Sequence, residues 1–413
     1  MNRLLKLLII NCSLLIYTLS VHAQGLWTQR ASLPDSARGY GISFSIGNCG
    51  YVGLGIDQNI GLVYLKDFWQ FNSSNNTWSK KTDFPGLARI CPATFVIGHK
   101  AYVVTGQDTN YGFHNECWEY DATINKWTQK ANFPGAARAY DFGFSIGNKG
   151  FIGMGSEYEV NYYKDFWEYD TTSDTWTRKV DFGGIARITA SGFSVGNKGY
   201  ACFGLDSNNS TYNDLWEYDT GKNSWTQKMN KPGSGLSGQN GFVIGNNIYI
   251  GTGDSLNSLS STLKNIWKYN TLLDSWTQEA TFAGGVREAS ISFAIGDSGY
   301  LGAGVDSSAN FYNDLYKFYP DTLTAINEIT DNENSISVYP NPSNGLFILQ
   351  LGINNYELRI EVYNILGEIV YEGTVSSNEG KYEINLSNTI TGVYTLKAYC
   401  NNRIHYKKLI VVK

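Results

Sequence analysis

The sequence predicts an all-β chain: a ring of six four-stranded sheets, a β-propeller, followed by a small antiparallel β-sandwich. Three observations predict it. A tryptophan segment recurs at Trp27, Trp78, Trp127, Trp176, Trp225 and Trp276, with spacings of 49 to 51 residues. An aromatic run recurs as DFWQF from Asp67, ECWEY from Glu116, DFWEY from Asp165, DLWEY from Asp214, NIWKY from Asn265 and DLYKF from Asp314. A glycine turn between apolar runs recurs at Gly47, Gly98, Gly147, Gly196, Gly245 and Gly296. A fixed period of this length marks one supersecondary unit written repeatedly.

The chain opens with a secretory signal pattern. Arg3 and Lys6 give the positive end, Leu7 to Leu19 is mostly apolar, and Val21-His22-Ala23 offers a cleavage site. Residues 1–23 are therefore expected to be removed, and that apolar run is short for a membrane span. The repeats fill 24–319. In the third, Ala139–Ile146 and Phe151–Gly155 flank a Gly-Asn-Lys-Gly hairpin turn, and Asp165–Asp170 and Thr175–Val180 flank a second polar turn. Aromatic and β-branched residues in alternation suit strands. The tryptophans are expected as filling between neighbouring sheets.

The sixth unit has no tryptophan segment after it, and the chain begins with an orphan one, Leu26-Trp-Thr-Gln-Arg30. Pairing the first segment with the last unit removes the open edge and closes the ring. Residues 320–334 carry four acids and no base, and read as a linker. Short alternating runs from Ile336 to Val412 predict the sandwich over 335–413.

Residues 26–319 resemble the kelch-repeat propellers in period, in the aromatic of strand three ahead of the strand-four tryptophan, and in the glycine after strand two (Gly55, Gly106, Gly155, Gly204, Gly253, Gly304). Kelch units usually carry two glycines there. Here the first is Leu54, Thr105, Met154, Phe203, Thr252 or Ala303. A second resemblance covers 335–413. Tyr339-Pro340-Asn341-Pro342 with Gly345, then Gly392 and Tyr394, then Lys407-Lys408 running to Lys413, are similar to the type A sorting domain of the Bacteroidetes type IX secretion system. That resemblance implies outer-membrane passage, removal of the domain by the system's sortase, and either release or anchoring to surface lipopolysaccharide.

Net charge of −5 excludes a nucleic-acid face of the usual basic kind. Cysteines 49, 91, 117, 202 and 400 are scattered without metal-ligand spacing and are expected as free thiols. No cofactor or metal is expected. An arginine opens strand one in five units and an acid follows the strand-two glycine in the same five. The expected ion pairs are Arg38–Asp57, Arg89–Asp108, Arg138–Glu157, Arg187–Asp206 and Arg287–Asp306. The fifth unit has Leu236 and Ser255 instead, with Asp254 shifted one place.

Ligands of propellers meet loops at the channel mouth. Rim candidates are Tyr40, Tyr140, Thr189, Gly238 and Asp254, the first three at the position two beyond the arginine and Gly238 at its counterpart in the fifth unit, where kelch domains of ubiquitin-ligase adaptors place contact residues. The function expected is a secreted or cell-surface module binding a glycan or a protein. The alternative is a sugar-processing enzyme like the sialic-acid mutarotases among six-bladed kelch proteins. A copper oxidase is disfavoured, because the propeller's His99 and His114 fall on opposite faces.

Overall fold

A computed structural model describes residues 25–59, 61–157, 160–256, 258–320, 336–351, 357–364, 368–376, 381–400 and 403–413. The expected signal segment and nearly all of the linker lie outside these residues. The chain divides into two units, 1–320 and 321–413.

The first unit contains six four-stranded antiparallel sheets among its described residues. Blade one is Ile42–Ile46, Cys49–Gly53, Phe68–Asn72 and Thr77–Lys80, and blades two to five repeat that order with inner strands Ala93–Ile97, Phe142–Ile146, Ser191–Val195 and Asn240–Ile244. In blade six, Ile291–Ile295, Ser298–Gly302 and Leu315–Tyr319 pair with Leu26–Arg30 as the outer strand. Trp27 lies opposite Phe318, their rings 4.8 Å apart.

Inner strands touch in cyclic order, from blade one to six and back to one. Backbone hydrogen bonds run the same way. The amide of Gly55 donates to Arg89 O, Gly106 to Arg138 O, Gly155 to Arg187 O, Gly204 to Leu236 O, Gly253 to Arg287 O, and Gly304 to Arg38 O. At the outside, the indole of Trp27 donates to Ala280 O, Trp78 to Ala31 O, Trp127 to Thr82 O, Trp176 to Ala131 O and Trp276 to Met229 O. Five of the six outer strands are thus tied through an indole to the blade before them, the exception being that of Trp225, whose indole nitrogen has no partner, and the N-terminal strand takes its turn in the series.

Between blades the packing is aromatic. Phe68 of blade one meets Tyr120 and Trp127 of blade two edge-on at 4.8 and 5.3 Å, and Phe166 of blade three repeats this with Tyr218 and Trp225 of blade four. A fully buried tryptophan removes about 150–250 Å² from water, or about 4–6 kcal/mol of transfer free energy. Close approach fixes the small residues of strand two. A Cβ on Gly150 would lie 2.1 Å from the Phe95 ring of the preceding blade.

The residue after strand two is left-handed in every blade, although none is glycine: Leu54, Thr105, Met154, Phe203, Thr252 and Ala303 have φ of 52 to 71°. That conformation costs about 1–2 kcal/mol for a side chain with a Cβ. It explains why two glycines suit this place, and it turns the residue's carbonyl inward.

The second unit is a sandwich of a three-stranded sheet (Ile336–Tyr339, Leu346–Leu351, Lys381–Asn385) and a four-stranded one (Glu357–Tyr363, Ile369–Ser376, Gly392–Cys400, Arg403–Val411). Phe347, Leu349, Ile360, Ile384, Tyr394 and Leu409 are among its core. The expected motif residues hold one edge together. Asn341 donates from Nδ2 to Lys408 O and accepts the Ile410 amide, while Lys413 Nζ donates to Ser387 O. Gly345 has φ of 113° and would meet Ser387 with any Cβ. The Tyr394 hydroxyl donates to Ile390 O.

Candidate functional site

The five arginines are almost fully buried, and their partners differ from the expected ones. Arg38 pairs with Asp67, Arg89 with Glu116, Arg138 with Asp165, Arg187 with Asp214 and Arg287 with Asp314, at 2.5 to 2.7 Å. These are the acids that open strand three, not Asp57, Asp108, Glu157, Asp206 and Asp306. Reach explains the correction. A short carboxylate behind the strand-two glycine finds loop amides first: Asp108 Oδ1 accepts those of Asn110 and Gly112, Asp206 those of Asn208 and Ser210, Asp306 those of Ser308 and Asn310, and Asp57 that of Asn59. The long arginine passes them to strand three.

Each guanidinium is fully enclosed. Its Nη1 donates to the carbonyl of the left-handed residue, Leu54, Thr105, Met154, Phe203 or Ala303. In blades three, four and six it is sandwiched between two rings: Arg187 lies 5.3 Å from the Phe182 centroid and 4.0 Å from that of Tyr212. The tyrosine hydroxyl then donates to the loop acid, as Tyr212 does to Asp206 at 2.7 Å. His114 takes that place in blade two, 2.9 Å from Asp108. Burial pushes the Asp165 carboxyl up, but hydrogen bonds from Arg138 more than offset it and hold it below its usual value.

Blade five exchanges the roles. Leu236 stands at the arginine position and Asn265 at the acid position. Lys231 replaces the phenylalanine that stacks on arginine in blades two, three, four and six, and it is buried, its Nζ on Pro232 O and 5.2 Å from the Trp267 ring. Desolvation lowers its pKa. The signal was in the sequence: NIWKY is the one strand-three run here that opens on an amide.

At the mouth, Tyr40, Cys91, Tyr140, Thr189, Gly238 and Ala289 all have positive φ. Their amides link around the ring, Cys91 to Tyr40 O, Tyr140 to Cys91 O, Thr189 to Tyr140 O, Ala289 to Gly238 O and Tyr40 to Ala289 O. At the seam of blades four and five, the Gln239 side chain donates to Thr189 O. Behind this ring lies a cavity of about 450 Å³ lined by all six inner strands. Tyr40, Tyr140, Thr189 and Gly238 line it; Asp254 does not, and is buried behind the mouth.

Two carboxyls here were not singled out by sequence. Asp141 lines the cavity, and burial pushes it up to about 7, against the pull of Arg138 and the Thr105 hydroxyl. Glu288 is also raised to about 7, by burial first and then by Asp254, with which it shares a hydrogen bond. The Tyr40 hydroxyl donates to Glu288 at 3.0 Å. The thiols of Cys49, Cys91, Cys117 and Cys202 are free.

Comparison with known proteins agrees with this architecture. Residues 91–286 match the family model described as the KLHDC2/KLHL20/DRC7 Kelch-repeats domain, and residues 337–412 match that of the secretion system C-terminal sorting domain. A solved structure titled "Structure of YjhT" is similar in fold, with a TM-score of 0.59 at 15% identity, over 69% of this chain and 96% of that one. No curated protein matches the chain. The sorting domain indicates secretion or cell-surface localisation through the type IX machinery. Among the described residues, no helix is long and apolar enough to cross a membrane.

Proposed function

We propose that this is an exported kelch propeller that binds a glycan in its central cavity, with the C-terminal domain serving as a cleavable export signal. The observation that carries the reading is the cavity wall. Its volume suits a mono- or disaccharide. Six inner strands line it with Ser43, Thr94, Ser145, Ser191, Asn240 and Ser292 among aromatic rings, with Gln239 just ahead of the fifth. Hydroxyls and amides beside rings are what a polyhydroxylated ligand matches. The arginines do not compete for this role, since each is consumed by its own blade.

The test is a glycan array probed with the full chain and with Ala190→Leu, which narrows the cavity. Binding lost in the variant supports the reading. Binding unchanged in it, or a protein partner in place of any glycan, counts against it.

A second reading, a sugar mutarotase or epimerase, is favoured by the two carboxyls near neutrality, since acid–base catalysis wants groups poised at the working pH. An acidic sugar fits less well, because Asp141 is the one charged residue among those described on the cavity wall. Following anomer exchange of neutral and acidic sugars by NMR separates these readings.

A further inference from the structure

Asp141, Gln239 and Ser290 occupy one repeat position, directly after the left-handed residues Tyr140, Gly238 and Ala289. In the other blades that position is Gly41, Pro92 or Ala190, which bring no polar side-chain atom. All six line the cavity, so the polar groups share one level of the channel on blades three, five and six. Gln239 and Ser290 are 4% and 3% exposed, and Gln239 Oε1 and Ser290 Oγ have no hydrogen-bond partner. A buried acceptor left unmatched gives up its hydrogen bonds to water without replacement.

Asp141 is also short of donors. A carboxylate can accept about four hydrogen bonds. The side-chain donor facing it is the Thr105 hydroxyl, at 2.9 and 3.1 Å. Arg138 is near enough to be felt, but its Nη1 and Nη2 are spent on Asp165. On the blade-two side stands the Cys91 thiol, which burial and then Asp141 and Glu288 push well up. Beyond it are Tyr40 and the Glu288–Asp254 pair. The described lining includes no lysine, arginine or histidine.

This wall lacks positive charge, and its one carboxyl is met by a single side-chain hydroxyl. We propose that the ligand of the cavity is an amino sugar, its ammonium group seated on Asp141. The proposal rests on the glycan reading and adds the charge of the ligand. An ammonium supplies three donors and the missing countercharge to a carboxylate in a low-dielectric site.

The test is calorimetric titration of the full chain with glucosamine, N-acetylglucosamine and Nα-acetyl-lysine amide between pH 5 and 7. Glucosamine is expected to bind about ten-fold more tightly than N-acetylglucosamine at pH 7, a difference of about 1.4 kcal/mol. Its affinity should rise from pH 5 to 7 as Asp141 gives up its proton, because the ammonium binds the ionised form.

Asp141→Asn should erase both the preference and the pH dependence. Its fold is checked at pH 5, where wild-type Asp141 is itself uncharged and the two melting curves should coincide. Ser290→Ala removes a buried oxygen that makes no internal bond, and should leave glucosamine affinity unchanged while stability stays level or rises. Equal binding of the two sugars, affinity that falls toward pH 7, or a preference kept in Asp141→Asn would overturn the proposal, as would lysine amide binding in place of sugar. A neutral glycan bound in the cavity with no gain from an amine refutes the ammonium while leaving the glycan reading standing. No sugar bound at all refutes both.

Discussion

Blade four and blade five have the same four strands, the same hairpins and the same left-handed residue after strand two, yet their interiors are opposites. Blade four buries Arg187 against Asp214 between Phe182 and Tyr212. Blade five has Leu236, Asn265, Lys231 and Leu263 in those four places. One is held by a charged brace, the other by an apolar plug with its cation moved to the stacking position. The difference teaches that the arginine–acid pair is a structural option of the repeat, replaceable as a set. A buried ion pair is often matched in stability by well-packed neutral residues, whereas half a pair is costly.

The largest effect should come from breaking the set. Arg187→Leu alone leaves Asp214 without its main partner, and should cost about 3–5 kcal/mol in urea unfolding. Leu236→Arg in blade five, opposite Asn265, should destabilise by a similar amount, and Asn265→Asp added to it should recover at least half. A loss below about 1 kcal/mol for Arg187→Leu would erase the contrast between the blades.

Paired and unpaired acids give the next contrast. Asp165 is held low by Arg138, while Asp141 and Glu288 are raised to about 7 with no arginine spare for them. A carboxyl whose folded pKa exceeds its unfolded value of about 4 stabilises fully below that value, and the gain is lost as pH rises through the folded pKa. Stability should therefore fall between about pH 4 and 7, on the order of 1–3 kcal/mol. Asp141→Asn should flatten part of that slope in thermal melts, and an unchanged slope would count against the assignment.

Tyr212→Leu copies Leu263 of blade five into a braced blade. It removes a ring from the guanidinium and a hydroxyl from Asp206, and should cost about 1–2 kcal/mol. The same change cannot be made in blade five, which is the point of comparison. Smallest of all, Ala303→Gly and Thr252→Gly relieve the left-handed backbone but lose packing and gain unfolded-state entropy. Both should stay within about 0.5 kcal/mol of wild type, whether the blade is braced or not.

Much of this was legible in the residues, and the unread part has a physical cause. The period placed the strands because each blade must bury the same rings, and the sandwich strands followed from alternation. Leu26–Arg30 pairs where the missing sixth tryptophan segment asked for it. The brace was assigned to the wrong acid because two acids vanish or shift in blade five, Asp254 with Ser255 and the acid of strand three at Asn265. Sequence alone does not say which one an arginine can reach. Asp141, Gln239 and Ser290 went unremarked because only the folded ring shows that their position faces a cavity and that two of them lack partners. A regular repeat does leave one hint, a position that is Gly, Pro, Asp, Ala, Gln and Ser across six units.

The most direct measurement is a double-mutant cycle on blade four, comparing wild type, Arg187→Leu, Asp214→Asn and the double variant by urea unfolding. Blade five predicts that the double variant, which carries its own pair of residues, lies within about 1 kcal/mol of wild type while each single change costs several times more. Additive losses, with the double variant the least stable of the four, would contradict it.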